Sequence, residues 1–138
     1  MAKANNIFID TSAFKAIVDH NDDFHHQAVS IWEKLSKSQK LLITSNYILD
    51  ETFTLLRARC HLNYALRFKE ILADSAPVLK IVRVTIDDEN KAWNWFKNNW
   101  TNLSFTDCVS FAMIKRLGIT EVVSFDYHFK RAGFKMFK

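Results

Sequence analysis

EVVSFDYHF, residues Glu121 to Phe129, is an apolar run with strand character that stops at an aspartate. NIFID, Asn6 to Asp10, does the same near the start of the chain and is followed by TSAF. Short apolar runs of this kind, bounded by helix-start residues, read as buried strands. Continuous apolar strands separated by helices define a parallel sheet covered on both faces. In such sheets ligands bind beyond the carboxyl ends of the strands, where the strand order reverses. Asp10 and Asp126 stand at two such ends.

The segments between them complete the pattern. Thr11 or Ser12 caps a helix to about His20, and a second helix runs from about Asp22 to Ser38 with Phe24, Ala28, Ile31, Trp32 and Leu35 on one stripe. Leu41 to Thr44 reads as strand, and Ser45 or Asn46 caps a helix to about Cys60. A further helix spans about Asn63 to Asp74, stopped by Pro77. Leu79 to Val84 is a strand, Asp87 caps a helix to about Asn99, and Ser104 to Leu117 is a helix ended by Gly118. Glu121 to Phe125 is a strand, and Phe134 to Phe137 is a candidate short last one. The expectation is one α/β domain over residues 1–138, with three α/β/α layers around a parallel sheet of four to five strands.

Bulk composition agrees. The chain of 138 residues is 49% apolar, with two glycines and one proline, as a compact helix-rich globule requires. A net charge of +4 suits a polyanionic partner, and equally an ordinary surface. Cys60 and Cys108 lack metal-type spacing and read as reduced thiols of a cytoplasmic protein. The first residues hold no signal-peptide apolar stretch, and no run is long enough to span a membrane.

Two more acids look misplaced for surface residues. In SNYILDETFTLLRAR, Glu51 lies at the edge of the face made by Ile48, Leu49, Thr52, Leu55 and Leu56, while Asp50 projects the other way. In SFTDCVSFAMIKRLG, Asp107 shares a stripe with Phe111 and Ile114 in the first turn, where a helix favours an anion. Singly, each acid has an ordinary explanation: Ser104 with Asp107 resembles a capping box, and Asp10 and Asp126 resemble caps or turns. Together, four acids point at one edge of one sheet. Close uncompensated carboxylates are costly, and a divalent cation removes the conflict. Oxygen ligands without His or Cys clusters select a hard ion, Mg²⁺ or Mn²⁺, and such ions in a basic protein suggest phosphodiester chemistry.

IDTSAF with Asp10, SNYILDETFTLLR with Glu51, SFTDCVSFAMIKRLGI with Asp107 and VVSFDYHFKRAGF with Asp126 together resemble the PIN-domain nucleases, and within them the VapC toxins of VapBC toxin–antitoxin systems. The resemblance covers nearly the whole chain. It implies a metal-dependent endoribonuclease whose pocket is Asp10, Glu51, Asp107 and Asp126, both as catalytic residues and as metal ligands. It implies hydrolysis by a metal-activated water, leaving 5′-phosphate and 3′-hydroxyl ends. It also implies a VapB-type antitoxin that covers the pocket, and a toxin homodimer. Ser12, Ser104, Thr106 and Ser124 sit where the family often keeps hydroxyls near the acids.

Lys15, Arg57, Arg59, Lys130 and Arg131 are candidate contacts for RNA phosphates, each with a solvated surface cation as the plain alternative. The five histidines read as surface or packing residues. In AWNWFKNNW, Trp93, Phe96 and Trp100 fall at helical spacing and suggest a core or dimer seam, leaving Trp95 as the exposed candidate. Helices around Phe53 and Phe68 are candidate packing surfaces for a partner. Rival readings are a PIN nuclease of RNA maturation or of DNA ends, and a catalytically silent PIN-type module. A phosphoacceptor receiver domain fails, because Asp10 is followed by Thr11 rather than a second acid and Leu79 to Val84 ends in Thr85.

Overall fold

The computed structural model describes residues 6–138, so the stretch where no leader is expected lies largely outside it. In chain order come β1 (Asn6–Ile9), α1 (Thr11–Val18), α2 (His25–Ser36), β2 (Leu41–Ser45) and α3 (Asn46–Leu55). A π-helical turn (Leu56–Cys60) leads into α4 (Leu62–Asp74) and β3 (Leu79–Val82). Then follow α5 (Ile86–Phe96), α6 (Phe105–Arg116), β4 (Glu121–Val123), α7 (His128–Arg131) and β5 (Lys135–Met136). All five strands pair in parallel, in the order β3-β2-β1-β4-β5, with helices on both faces: the three-layer α/β/α fold.

β1 is central because it is apolar on both sides. Ile7, Phe8 and Ile9 are fully buried, as a strand sandwiched between helix layers must be. The same reasoning explains α6. Its eight consecutive residues from Asp107 to Ile114 are all buried, so it is a helix enclosed on every side rather than an amphipathic surface helix. An acid in such a helix has to be explained by the site it faces.

The sequence of β-strands reverses direction of travel at β1. The chain moves outward from β1 to β2 to β3, then returns to place β4 on the other side of β1. The crevice between the carboxyl ends of β1 and β4 is therefore the ligand-binding position of this architecture.

Several boundaries differ from the sequence expectation, each for a visible reason. α2 begins at His25 rather than near Asp22, because Asp22 accepts from Phe24 N (2.8 Å) and pairs with Lys15 (2.7 Å). α5 is capped by Thr85, not Asp87: Thr85 Oγ1 accepts from Asp88 N (3.1 Å) and Asp88 returns the bond to Thr85 N (2.9 Å). β3 stops at Val82, since Val84 N donates to Asn46 Oδ1 (2.8 Å) instead of to the sheet. The four-residue α7 carries no apolar periodicity that sequence could show.

The aromatic assignments also change. The inner face of α5 is set by Asp88, Ala92 and Trp95, with Trp95 against Phe111 at 5.6 Å. Trp93 and Phe96 turn outward, 55% and 38% exposed, and cluster with Phe105. Trp100 lies beyond the helix end, so the spacing of 93, 96 and 100 is not one stripe. Phe68 is fully buried between Phe14 and Phe53, a core residue rather than a docking surface. Leu62 and Leu66 are the large apolar side chains that α4 exposes.

One ion pair, buried on its Asp88 side and open to solvent on its Arg116 side, locks α5 to α6. Arg116 forks onto Asp88 with bonds of 2.8 and 2.9 Å, and Asp88 is 1% exposed. Burial alone would raise the Asp88 carboxyl; the Arg116 guanidinium and the Thr85 donors outweigh it and hold it below its ordinary value. Arg116→Met leaves that anion with Thr85 N as its remaining donor and is expected to destabilise the protein by about 2 kcal/mol in urea unfolding. A loss below about 0.5 kcal/mol would make the pair a mere surface contact.

Candidate active site

Register places the first two components. β1 and β4 pair with Ile9 opposite Val123, so the next residues, Asp10 and Ser124, lie side by side at the strand ends. Asp10 caps α1 by accepting from Ala13 N (3.1 Å) and is only 3% exposed. Ser12 Oγ donates to its Oδ1 (2.9 Å) and Ser124 Oγ to its Oδ2 (2.8 Å). The two serines also receive the backbone of the β4–α7 loop: Phe125 N donates to Ser12 Oγ (2.9 Å) and Asp126 N to Ser124 Oγ (2.9 Å). They fix Asp126 relative to Asp10. Ser124→Ala frees one oxygen of Asp10 and loosens that loop. The RNA cleavage that the resemblance implies is expected to drop roughly 10- to 100-fold, with the fold intact by circular dichroism.

α6 brings the third acid. Ser104 and Asp107 form the capping box in full, with Asp107 N to Ser104 Oγ at 3.0 Å and Ser104 N to Asp107 Oδ2 at 3.3 Å. The cap and the site are the same residue. Capping orients the Asp107 carboxylate at the helix N-terminus, where it interacts with the charges of Asp10, Asp126 and Glu51. Glu51 arrives from α3, half-buried, while neighbouring Asp50 is exposed. A cleft of about 390 Å³ carries Glu51 together with Arg59 and Thr106. The structure thus places Asp10, Glu51 and Asp126 near enough to Asp107 for their charges to interact with it, with Asp107 at the hub.

Electrostatics marks the cluster as short of positive charge. Burial pushes Asp10 from 3.8 up to about 7, even though Ser124, Ser12 and Ala13 all donate to the anion, and Asp107 adds to the rise. Burial likewise pushes Asp107 up to about 6, with the charges of Asp126 and Glu51 adding to it. Carboxylates in this state either hold protons or bind a cation. The donor set is oxygen-rich and desolvated, which fits a divalent ion.

His128 is the site residue that sequence reading missed. It is 4% exposed and sits beside the acids. Its Nδ1 lies 2.7 Å from Asp126 Oδ1 and 3.9 Å from Asp107 Oδ2. The 2.7 Å approach is off the hydrogen-bond line, and Nδ1 is buried without a partner. Asp107, Asp126 and His128 offer ligand atoms that all lie within 4.8 Å of one another. The only trace in the sequence is a histidine two residues after a strand-end aspartate, which is too common to single out.

The cations distribute unevenly. Lys15 is held by Asp19 (3.2 Å) and Asp22 (2.7 Å); burial would lower its pKa, and these two partners raise it instead. Arg57 and Arg59 project from the π-helical turn into solvent. Lys130 lines a hollow with Ser124 and Asp126. Arg131 stacks on Trp100 at 4.5 Å and lines a groove of about 650 Å³ with Lys91, Trp95 and Lys115. Trp100 also lines that groove, and its ring lies parallel to His128.

A central parallel sheet with this acid cluster at its switch point places the chain among the PIN domains, and the PIN domain family matches residues 7–135. The chain belongs to that family. It is 35% identical, over 93% of its length and 95% of the relative's, to the 23S rRNA-specific endonuclease VapC20 of Mycobacterium tuberculosis. The crystal structure of that VapC20, described as a Sarcin-Ricin loop cleaving toxin, matches with a TM-score of 0.81 at 36% identity, covering 93% and 95% of the two chains. FitAcB from Neisseria gonorrhoeae (TM-score 0.67, 16% identity, 96% of each chain) shares the fold alone. So does VapBC2 from Rickettsia felis bound to a DNA fragment from their promoter (0.64, 11%, 96% and 97%). Among the described residues, no helix is long and apolar enough to cross a membrane.

Proposed function

We propose that this chain is the toxin of a VapBC-type toxin–antitoxin pair, a single-domain cytoplasmic endoribonuclease that inhibits translation by cutting RNA. The observation that carries the reading is the desolvated acid cluster at the β1/β4 switch point, with two carboxyls held well above their ordinary values. Family membership and the extensive match to a 23S rRNA-specific endonuclease support RNA as the substrate class and 23S rRNA as the first molecule to try.

Asp10, Glu51, Asp107 and Asp126 would hold Mg²⁺ or Mn²⁺, directly or through water. The chemistry such an ion would supply is a nucleophile from water at neutral pH and relief of charge on the phosphate. Asp10 is kept in place by Ser12 and Ser124, and Asp107 by Ser104, so the ligands are set before RNA arrives. Thr106 lines the cleft beside Glu51. Arg57, Arg59, Lys130 and Arg131 attract the phosphate backbone, and Lys15 contributes less because Asp19 and Asp22 already hold it. A homodimer and a VapB-type antitoxin are the partners; the outward Trp93, Phe96 and Phe105 cluster and exposed Leu62 and Leu66 supply apolar surface for them.

The test uses antitoxin-free protein with intact ribosomes and total RNA, plus Mg²⁺ or Mn²⁺, with an EDTA control. Discrete cuts bearing 5′-phosphate and 3′-hydroxyl ends, lost in EDTA, are expected. Cuts that persist in EDTA, or that leave cyclic phosphates, would overturn the mechanism. Folded protein that binds metal and cuts no RNA would mark a silent binding module.

A further inference from the structure

We propose that His128 is a nitrogen ligand to the divalent ion, binding through Nδ1 beside Asp107 and Asp126. The inference rests on the proposed function, in that it needs an ion at the acid cluster. It adds a ligand that carboxylates alone do not provide.

Three observations carry it. First, the tautomer is set. His128 Nε2 lies 2.8 Å from the Thr101 carbonyl, which can only accept, so Nε2 bears the proton. In the neutral ring Nδ1 is then a bare lone pair. Ligating histidines characteristically donate their other ring N–H to a carbonyl or carboxylate in this manner. The turn that presents Thr101 is held by Asn102 in the left-handed region (φ 61), and Trp100 stacks on the ring within 4° of parallel. The imidazole is oriented from two sides.

Second, that lone pair is buried and orphaned. Nδ1 lies 2.7 Å from Asp126 Oδ1, yet a proton on Nδ1 would not point along that line. Asp126 Oδ1 already accepts from His128 N at 2.9 Å. Two electron-rich atoms this close with no proton between them repel, and an ion lying on the Nδ1 lone pair with Asp126 Oδ1 as a neighbouring ligand relieves it.

Third, the spacing fits. Ligand atoms about 2.1 Å from an octahedral ion are roughly 3 Å apart when adjacent and about 4.2 Å when opposite. The separations of Nδ1 from Asp126 Oδ1 and Asp107 Oδ2, 2.7 and 3.9 Å, each lie within a few tenths of an ångström of one of those values.

A nitrogen ligand changes metal preference. Imidazole favours Mn²⁺ and later ions over Mg²⁺, which takes oxygen. His128→Asn is therefore expected to weaken Mn²⁺ binding by about tenfold or more and to affect Mg²⁺ less.

The experiment is electron spin echo envelope modulation of Mn²⁺ bound to tag-free protein, once with natural nitrogen and once with ¹⁵N-histidine. A ¹⁴N modulation that changes on histidine labelling, and disappears in His128→Asn, is the expected result. A second variant with His20, His25, His26 and His61 all replaced keeps the question open to test if His128→Asn fails to fold; its modulation should persist. Mn²⁺ bound with no histidine nitrogen overturns the proposal while leaving the acid cluster as the metal site. No Mn²⁺ bound at all overturns both.

Discussion

Asp107→Asn is expected to reduce RNA cleavage by about three orders of magnitude while leaving the fold intact. The carboxylate at position 107 interacts with Asp10, Glu51 and Asp126, so in the proposed site its loss would weaken the hold of all the others on an ion. An ion at such a site is worth several kcal/mol to the transition state. At about 1.4 kcal/mol per tenfold, that is roughly a factor of a thousand. Asparagine is the right replacement because its side-chain oxygen can still accept from Ser104 N, the bond that closes the capping box. A change that also broke the cap would confuse lost folding with lost catalysis. Glu70→Gln, an exposed acid paired only with Arg67, serves as the control and should cut like wild type. Single-turnover assays with matched melting temperatures decide it. Activity within tenfold of wild type would remove Asp107 from the site.

The second large effect concerns stability and pH. Asp10 and Asp107 have folded-state pKa values above their ordinary 3.8, at about 7 and about 6. Between about pH 4 and pH 7 the folded chain therefore keeps protons that the unfolded chain has released. Stability of the metal-free protein must fall as pH rises through that window. For Asp10 alone, the rise from 3.8 to about 7 corresponds to roughly 4 kcal/mol. The two acids interact, so they titrate as a pair and their costs are not simply summed. Asp19 and Asp88 act in the opposite sense: their pKa values are lowered, so their contribution is lost only as pH falls below about 4. The windows are separate. In EDTA, the melting temperature is expected to decline by roughly 10 °C or more from about pH 5 to about pH 8. Added Mg²⁺ or Mn²⁺ should recover that loss near pH 8 and do little near pH 5, because the ion competes with the protons. A metal-free melting temperature that climbs over the same interval would contradict the burial of these charges.

Much of this was legible in the sequence because the governing signals are local. NIFID and EVVSFD show two apolar strands each closed by an aspartate, and parallel-sheet topology then says where those aspartates lie. Glu51 and Asp107 are out of place on apolar helical faces, and the structure explains both by the same crevice. The capping reading of Asp107 and the site reading were presented by the residues as alternatives; the geometry makes them one, since the cap orients the carboxylate. What sequence could not show is long-range. His128 acquires its place from Thr101 and Trp100, which reach it from 27 and 28 residues earlier. The loop order that seats Asp126 depends on Ser12 and Ser124, which are 112 residues apart. The phase of α5 was hidden because its aromatic residues outnumber the small and charged residues, Ala92 and Asp88, that define its inner face. Lys15 looked free because its partners Asp19 and Asp22 meet it only when the chain turns after α1.

The central claim is that one divalent ion binds where Asp10, Glu51, Asp107 and Asp126 converge. Anomalous scattering from a crystal of the protein loaded with Mn²⁺ tests it most directly. The expected result is a peak at the β1/β4 switch point within about 2.2 Å of an Asp107 oxygen, and no peak there in Asp107→Asn. A peak elsewhere on the molecule, or an unchanged peak in Asp107→Asn, would contradict it.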